Sequence, residues 1–143
     1  MTTTRLDPYL FFDGTAAEAI RFYAETFGGK IEMMMTQADA PPGEGMPAGS
    51  PDRIMHASVS FDGHLVMASD TMPGQPWNVL QGASLSLSYA DIAEANRIFG
   101  VLSTGGKVTM PMGKTFWVEA FGMCTDRFGV AWMVNGGEPA KFG

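Results

Sequence analysis

Two side chains in this sequence combine reactive chemistry with a strand setting, His56 and Glu119, and both are candidate catalytic residues. His56 stands near the head of residues 54–61, which alternate as a β-strand, so Ser58, two positions on, shares its face. A neutral imidazole there can accept a proton or give a lone pair to a metal. The plainer role is that of a hydrogen-bonded histidine at a strand end or dimer seam. Glu119 lies in an otherwise apolar strand, on the face that alternation gives to Trp117, Phe121 and Met123. A carboxylate taken out of water must either pair, here with Lys114 or Arg127, or become a weaker acid able to act as a base. Cys124 is the only cysteine. No intrachain disulfide or thiolate cluster can form, and a thiol in an apolar strand is normally inert.

Binding chemistry is carried by aromatic side chains. Tyr9, Phe11, Trp77, Trp117, Phe121 and Trp132 are the set expected around a concave apolar pocket, with polar anchors from Ser58 and from the row Ser84, Ser86, Ser88. The same rings would serve equally in a plain core. Trp77 differs, because it falls in a Pro- and Gly-rich connection, where a large aromatic acts as a lid or an interface anchor. The 12 methionines supply soft, adaptable filler that also suits a pocket for varied apolar ligands. His64 follows a turn and reads as solvated, while Asp70 and Asp126 read as capping or turn carboxylates.

Composition narrows the classes. A chain of 143 residues, 45% apolar and 17% charged, fits one packed domain. A net charge of −6 with nine scattered basic residues argues against a nucleic-acid partner. No apolar run reaches the roughly 18 residues of a membrane helix, and Met1-Thr2-Thr3-Thr4-Arg5 lacks the apolar stretch of a signal peptide. The expectation is a cytoplasmic protein without a membrane partner.

The elements that must position these residues come in two similar runs. Residues 6–12 predict a buried strand, and Thr15 with Glu18 predicts a capping box opening a helix that Gly28-Gly29 stops. Residues 31–36 follow as a strand, then a structureless loop over 37–53 of the kind that is functional or disordered. Strands over 54–61 and 64–69 flank Asp62-Gly63, a strong hairpin signal. The pattern restarts at 82–89, where Leu85, Leu87 and Tyr89 alternate with the serines. Asp91 and Glu94 repeat the Thr15/Glu18 interval 76 residues later, and at that offset Ala19 meets Ala95, Tyr23 meets Phe99 and Gly29 meets Gly105. Strands over 108–110, 115–125 and 130–134 complete a second unit, so the chain reads as two β-α-β-β-β modules, about 5–72 and 82–136, within one α+β domain over 1–143.

Several stretches carry a specific likeness: Pro8-Tyr9-Leu10-Phe11-Phe12-Asp13-Gly14, Met55-His56-Ala57-Ser58, Met67-Ala68-Ser69-Asp70, and above all Lys114-Thr115-Phe116-Trp117 through Phe121-Gly122-Met123 to Thr125-Asp126-Arg127-Phe128-Gly129-Val130. Over nearly its whole length the chain resembles the PhnB-like family of the vicinal oxygen chelate superfamily, which also holds glyoxalase I, extradiol dioxygenases and bleomycin-binding proteins. The resemblance implies two modules whose mixed sheet curls into a cup, usually in a homodimer. Family members often carry the name of ubiquinone-pathway methyltransferases, yet no Gly-rich turn of the nucleotide-binding kind joins a strand to a helix here.

The superfamily's enzymes hold a divalent metal with His, Gln or Glu side chains from corresponding strands. Here those positions fall on Leu6, Pro8 and Leu10, on Ser84, Ser86 and Ser88, and near Trp132 or Met133, so no metal ligand and no cofactor is assigned. The expected function is to bind or transform a small-molecule ligand without the usual metal, in a cup lined by Tyr9, Phe11, His56, Ser58, Trp77, Ser86, Trp117, Glu119 and Phe121. A divalent-metal lyase or dioxygenase is one alternative. A non-catalytic protein that sequesters a drug or metabolite is the other.

Overall fold

The computed structural model describes residues 3–39, 51–72 and 74–140. Contacts divide the chain into two units, Met1–Trp77 and Asn78–Gly143. The first unit contains β1 (Tyr9–Phe12), α1 (Ala16–Phe27), β2 (Lys30–Thr36), β3 (Ile54–Phe61) and β4 (His64–Asp70); the second contains β5 (Leu85–Tyr89), α2 (Ile92–Ser103), β6 (Lys107–Gly113), β7 (Val118–Thr125) and β8 (Ala131–Pro139). Each is a β-α-β-β-β module with a four-stranded mixed sheet, ordered β1-β4-β3-β2 and β5-β8-β7-β6, in which the first strand runs parallel to the last and the other pairs are antiparallel. The α+β class expected from the sequence is the one observed.

Each helix covers one face of its own sheet. In the first module Leu10, Phe12, Ala57, Val59, Val66 and Ala68 are buried with Ala19, Ile20 and Tyr23 of α1. Phe61 stacks on Phe27 with 4.5 Å between ring centroids, which fixes Ala57, Val59 and Phe61 of β3 on the helix side. In the second module Trp132, Val134 and Cys124 pack with Ala95, Ile98, Phe99 and Leu102 of α2. Burial of these two apolar layers is the main driving force for the fold.

The repeat is more faithful than the sequence offset suggests, and one residue different. The helices begin 76 positions apart, at Ala16 and Ile92, but α2 is followed by an extra residue, Thr104. The left-handed glycines are therefore Gly28 (φ 63°) and Gly105 (φ 77°), and the following pair is Gly29 and Gly106. The sequence reading that matched Gly29 to Gly105 is thus shifted by one. A side chain on Gly29 would strike the Ser60 carbonyl at 2.6 Å, and one on Gly106 would strike that of Thr125, so both sites need glycine for the same close strand approach. The register also slips at matching places, between Ile31 and Met33 and between Val108 and Met110.

Other expectations are corrected in detail. The first strand starts at Tyr9 rather than at residue 6, and the fifth at Leu85 rather than 82. Thr15 makes no side-chain cap on α1. The buried Asp70 does so from the end of β4, accepting from Gly14 N at 2.8 Å and Ala16 N at 3.1 Å, while its other oxygen takes Ile54 N at 2.8 Å. In the second module Asp91 caps α2 as expected, accepting from Ala93 N at 2.9 Å. Asp62 (φ 49°) and Gly63 (φ 81°) form the predicted tight hairpin turn. Of the loop expected over 37–53, residues 40–50 lie outside the described residues; Gln37–Asp39 is a short 3₁₀ turn.

Replacing Asp70 leaves three backbone donors at a buried junction without their carboxylate. Asp70→Ala is expected to lower unfolding free energy by about 3 kcal/mol, whereas Thr15→Ala should change it by under about 0.5 kcal/mol. Urea denaturation of the two variants checks this; equal effects would show that α1 is capped locally after all.

Candidate functional site

With one face of each sheet covered by its helix, chemistry is left to the other. In the first module the pairings Tyr9–Met67, Met67–Ser58 and Ser58–Met33 form one row across this open face, and Phe11–Ser69 continues toward His56–Met35 as the next. The candidate residues Tyr9, Phe11, His56 and Ser58 are therefore brought together on one surface. Tyr9 Oη lies 3.0 Å from His56 Nδ1, sharing a hydrogen bond whose direction follows the imidazole tautomer. The Tyr9 ring is 5.6 Å from the imidazole and 5.2 Å from Phe11. Phe11 is 60% exposed, a large apolar ring presented to solvent. Trp77 joins them by its indole N–H, which donates to the Phe11 carbonyl at 2.9 Å on the outer side of β1, the edge strand.

At the end of this face opens a cavity of about 190 Å³ walled by Phe11, Met55, Ser69 and Thr71 and by the amides Gln37 and Gln75. Asp70 is the one charged residue in its lining, and that carboxylate is committed to three backbone N–H groups. The cavity thus offers hydroxyls, amides and an aromatic wall to a neutral ligand. Sequence reasoning missed Met33, Met35 and Met67 as companions of His56, for which alternation along β2 and β4 was the available signal, and it missed Gln37 and Gln75, which come from loops whose placement no periodicity announces.

The open face of the second module carries Ser86, Ser88, Met133, Asn135, Phe121 and Met123. Asn135 donates from Nδ2 to Ser86 Oγ at 3.1 Å and to the Leu87 carbonyl at 3.0 Å. Trp117 meets Phe121 edge-on at 5.3 Å, and Phe116, 80% exposed, meets Trp117 at 4.9 Å. Trp132 does not join this set. It points to the helix side, is buried, and donates its indole N–H to Asp126 at 2.9 Å. Asp126 also accepts from Phe128 N and Val130 N, the turn role read from the sequence.

Glu119 is exposed, and its Oε1 accepts from Glu138 N at 2.8 Å instead of pairing with Lys114 or Arg127. The register explains this. Val118 pairs with Pro139 but Ala120 with Gly136, so β8 bulges at Gly137 and Glu138, and the carboxylate takes a donor that the ladder has dropped. Cys124 is buried on the helix side, and burial, with the Asp126 charge adding to it, pushes its thiol up to about 11.

The positions at which the fold would hold a divalent metal were also placed one residue off on β1. Leu10 faces the helix, and Tyr9 and Phe11 occupy the open face, paired by the repeat with Ser86 and Ser88. On the last strands Ser69 and Asn135 correspond. Among the described residues no three His, Cys, Asp or Glu side chains come together to hold an ion. This donor set does not fit a hard divalent metal.

Paired β-α-β-β-β modules with these strand orders define the glyoxalase/bleomycin resistance/dioxygenase fold. A family model described as 3-demethylubiquinone-9 3-methyltransferase matches residues 4–135. The chain belongs to that family, the PhnB-like branch of the vicinal oxygen chelate superfamily. It is 36% identical to protein YjdN of Escherichia coli over 91% of this chain and 93% of that one. The crystal structure of PA1353 from Pseudomonas aeruginosa superimposes with a TM-score of 0.88 at 44% identity, covering 94% of this chain and 98% of that one. The PhnB protein of Bacillus cereus shares the fold, with a TM-score of 0.77 at 24% identity over 93% and 99% of the two chains.

The Cys124 environment has a measurable consequence. The thiol ionises near 9.0 when unfolded and near 11 when folded, so the unfolded chain releases a proton first as pH rises. Stability attributable to the thiol is whole below pH 9.0 and is lost between 9.0 and about 11. Chemical denaturation across that window should show a flatter decline for Cys124→Ala than for the parent protein, and a thiol reagent should label the parent only after unfolding. Rapid labelling of the native protein would refute the burial argument.

Proposed function

We propose that this protein binds a small, largely apolar molecule on the open face of the module-one sheet, holds its polar group with the Tyr9–His56 pair, and uses no divalent metal. The observation that supports this reading above all is the 3.0 Å contact between Tyr9 Oη and His56 Nδ1 on a face that also carries Phe11, three methionines, Ser58 and Ser69. An imidazole held by a phenol is oriented before any ligand arrives, which lowers the entropic cost of recognition. Phe11 supplies the exposed surrounding contact, the largely buried Ser58 and Ser69 line the same face, and Trp77 steadies the edge strand that carries Phe11. Ser86 and Trp117 give the second module a further surface, with the buried Phe121 packed edge-on against Trp117.

If the ligand carries an acidic O–H or C–H, His56 is the base that removes the proton, with Tyr9 stabilising the imidazolium that results. Glu119 is assigned to the β8 bulge, where its carboxylate already accepts a hydrogen bond. A homodimer in the cytoplasm completes the reading, supported by the exposure of Leu6, Phe11 and Phe116. The net charge of −6 gives one specific ground for the sequestering alternative, in which a cationic ligand is held without turnover.

A thermal-shift screen of metabolites, repeated with Ni²⁺, Zn²⁺, Mn²⁺ and Fe²⁺, tests the proposal. A ligand found this way should bind roughly three- to tenfold more weakly to Tyr9→Phe and about tenfold or more weakly to His56→Ala. The divalent ions should leave the melting temperature unchanged. Stoichiometric metal in the purified protein would sink the metal-free reading in favour of a lyase or dioxygenase, and turnover of the ligand would eliminate pure sequestration.

A further inference from the structure

The second module carries a feature that small-molecule binding on the first does not use. Met110 on β6 pairs directly with Met123 on β7, and Met123 pairs directly with Met133 on β8. Three thioethers thus stand side by side in one row across three hydrogen-bonded strands. Their face is the one opposite α2, since their strand neighbours Gly122, Cys124, Trp132 and Val134 are the residues that meet the helix. Met110 is 43% exposed, and Met123 and Met133 are part-exposed, so the row is open to solvent rather than sealed in the core.

Directly opposed residues on adjacent strands have Cβ atoms about 5 Å apart, so the outer two of three stand about 10 Å apart. Each methionine places its sulfur about three bonds' reach from the backbone on a chain with three rotatable bonds. The two outer sulfurs can lean inward over the middle one, which makes a three-sulfur cradle without moving the strands. The register slip between Val108 and Met110 is what brings Met110 opposite Met123; uninterrupted pairing from Val108–Cys124 would have placed Thr109 there instead. The first module has the same slip between Ile31 and Met33, but its row reads Met33, Ser58, Met67 and lacks the central sulfur.

Thioether sulfur is a soft, neutral donor that selects soft monovalent ions and ignores hard divalent ones. We propose that Met110, Met123 and Met133 form a binding site for a soft monovalent metal ion of the Cu(I) or Ag(I) type, separate from the Tyr9–His56 surface. The donors carry no proton near neutrality, so binding releases none. A histidine or thiolate site behaves differently, because its ligands must first deprotonate.

Ag(I) itself, and Cu(I) delivered under anaerobic reducing conditions against a chromogenic chelator, are titrated into the full-length protein. The expected result is one equivalent of tight binding, unchanged between about pH 7 and pH 5, a range over which a histidine ligand would be lost. Met123→Leu keeps volume and apolarity, and removing this central ligand should weaken binding by about tenfold or more. Met110→Leu, at an exposed edge-strand position where the fold is not at stake, should weaken it similarly. His56→Ala and Cys124→Ser should leave it intact. The proposal is overturned by absence of binding, by unchanged affinity in Met110→Leu, or by loss of binding in His56→Ala, in Cys124→Ser or on acidification. Because the divalent screen and the ligand screen read the other module, either proposal can fail while the other stands.

Discussion

The carboxylate of Asp70 is the contact on which the arrangement of the first module turns. It sits where three elements meet, receiving the N-terminus of α1 through Gly14 and Ala16 and the start of β3 through Ile54. A buried charge is tolerable only when its lone pairs are met, and here they are met by backbone N–H groups that would otherwise be orphaned at a helix start. By pinning the start of α1 to that corner, Asp70 holds the helix against the sheet face it covers. The opposite face, with Tyr9, His56 and the methionines, is open as a consequence. Arg53 reinforces the corner from outside, donating to the Thr71 carbonyl and pairing with Asp13 at 2.9 Å.

The second module solves the same problem differently. The strand position that matches Asp70 is Gly136, as the pairs Phe12–Asp70 and Tyr89–Gly136 show. Its helix is capped by its own Asp91, and a side chain at Gly136 would strike Ala95 at 2.7 Å. One module therefore fills the gap between sheet and helix start with a carboxylate, and the other closes it by direct backbone approach. Freed from local capping, the first module can keep Thr15, which only resembles a capping residue, at the head of α1. That is why a sequence signature shared by both helices describes only one of them. A carboxylate distant in sequence had taken the role.

The same divergence shapes the two open faces. Repeat-equivalent positions hold Tyr9 against Ser86, Phe11 against Ser88, His56 against Phe121 and Ser58 against Met123. A superfamily metal site needs acidic or imidazole donors at matching places, and among these pairs His56 alone supplies one, with Phe121 at the equivalent position. The imidazole and phenol pair went to one sheet and the Asn135 amide to the other, while both kept aromatic rings and methionines. Gly29 and Gly106 and the paired register slips hold the backbones alike while the side chains differ. Backbone closeness is a constraint shared by both copies, whereas side chains on an open face are constrained only by what they touch.

Much of the fold was legible because it rests on local rules. Helix stops at double glycines, the Asp62-Gly63 turn and the alternation of Leu85, Leu87 and Tyr89 with serines each follow from nearby backbone preference or from burial of a single face. These are enough to read two modules and to place His56 beside Ser58. What tertiary structure alone decided depends on strands meeting at particular registers. Tyr9 rather than Leu10 faces the open side because β1 pairs in parallel with β4, and Glu119 is engaged because β8 bulges opposite it. Trp132 turned inward to Asp126, and three methionines far apart in sequence fell into one row. A one-residue change of register exchanges the two faces of a strand, and no local signal carries that information.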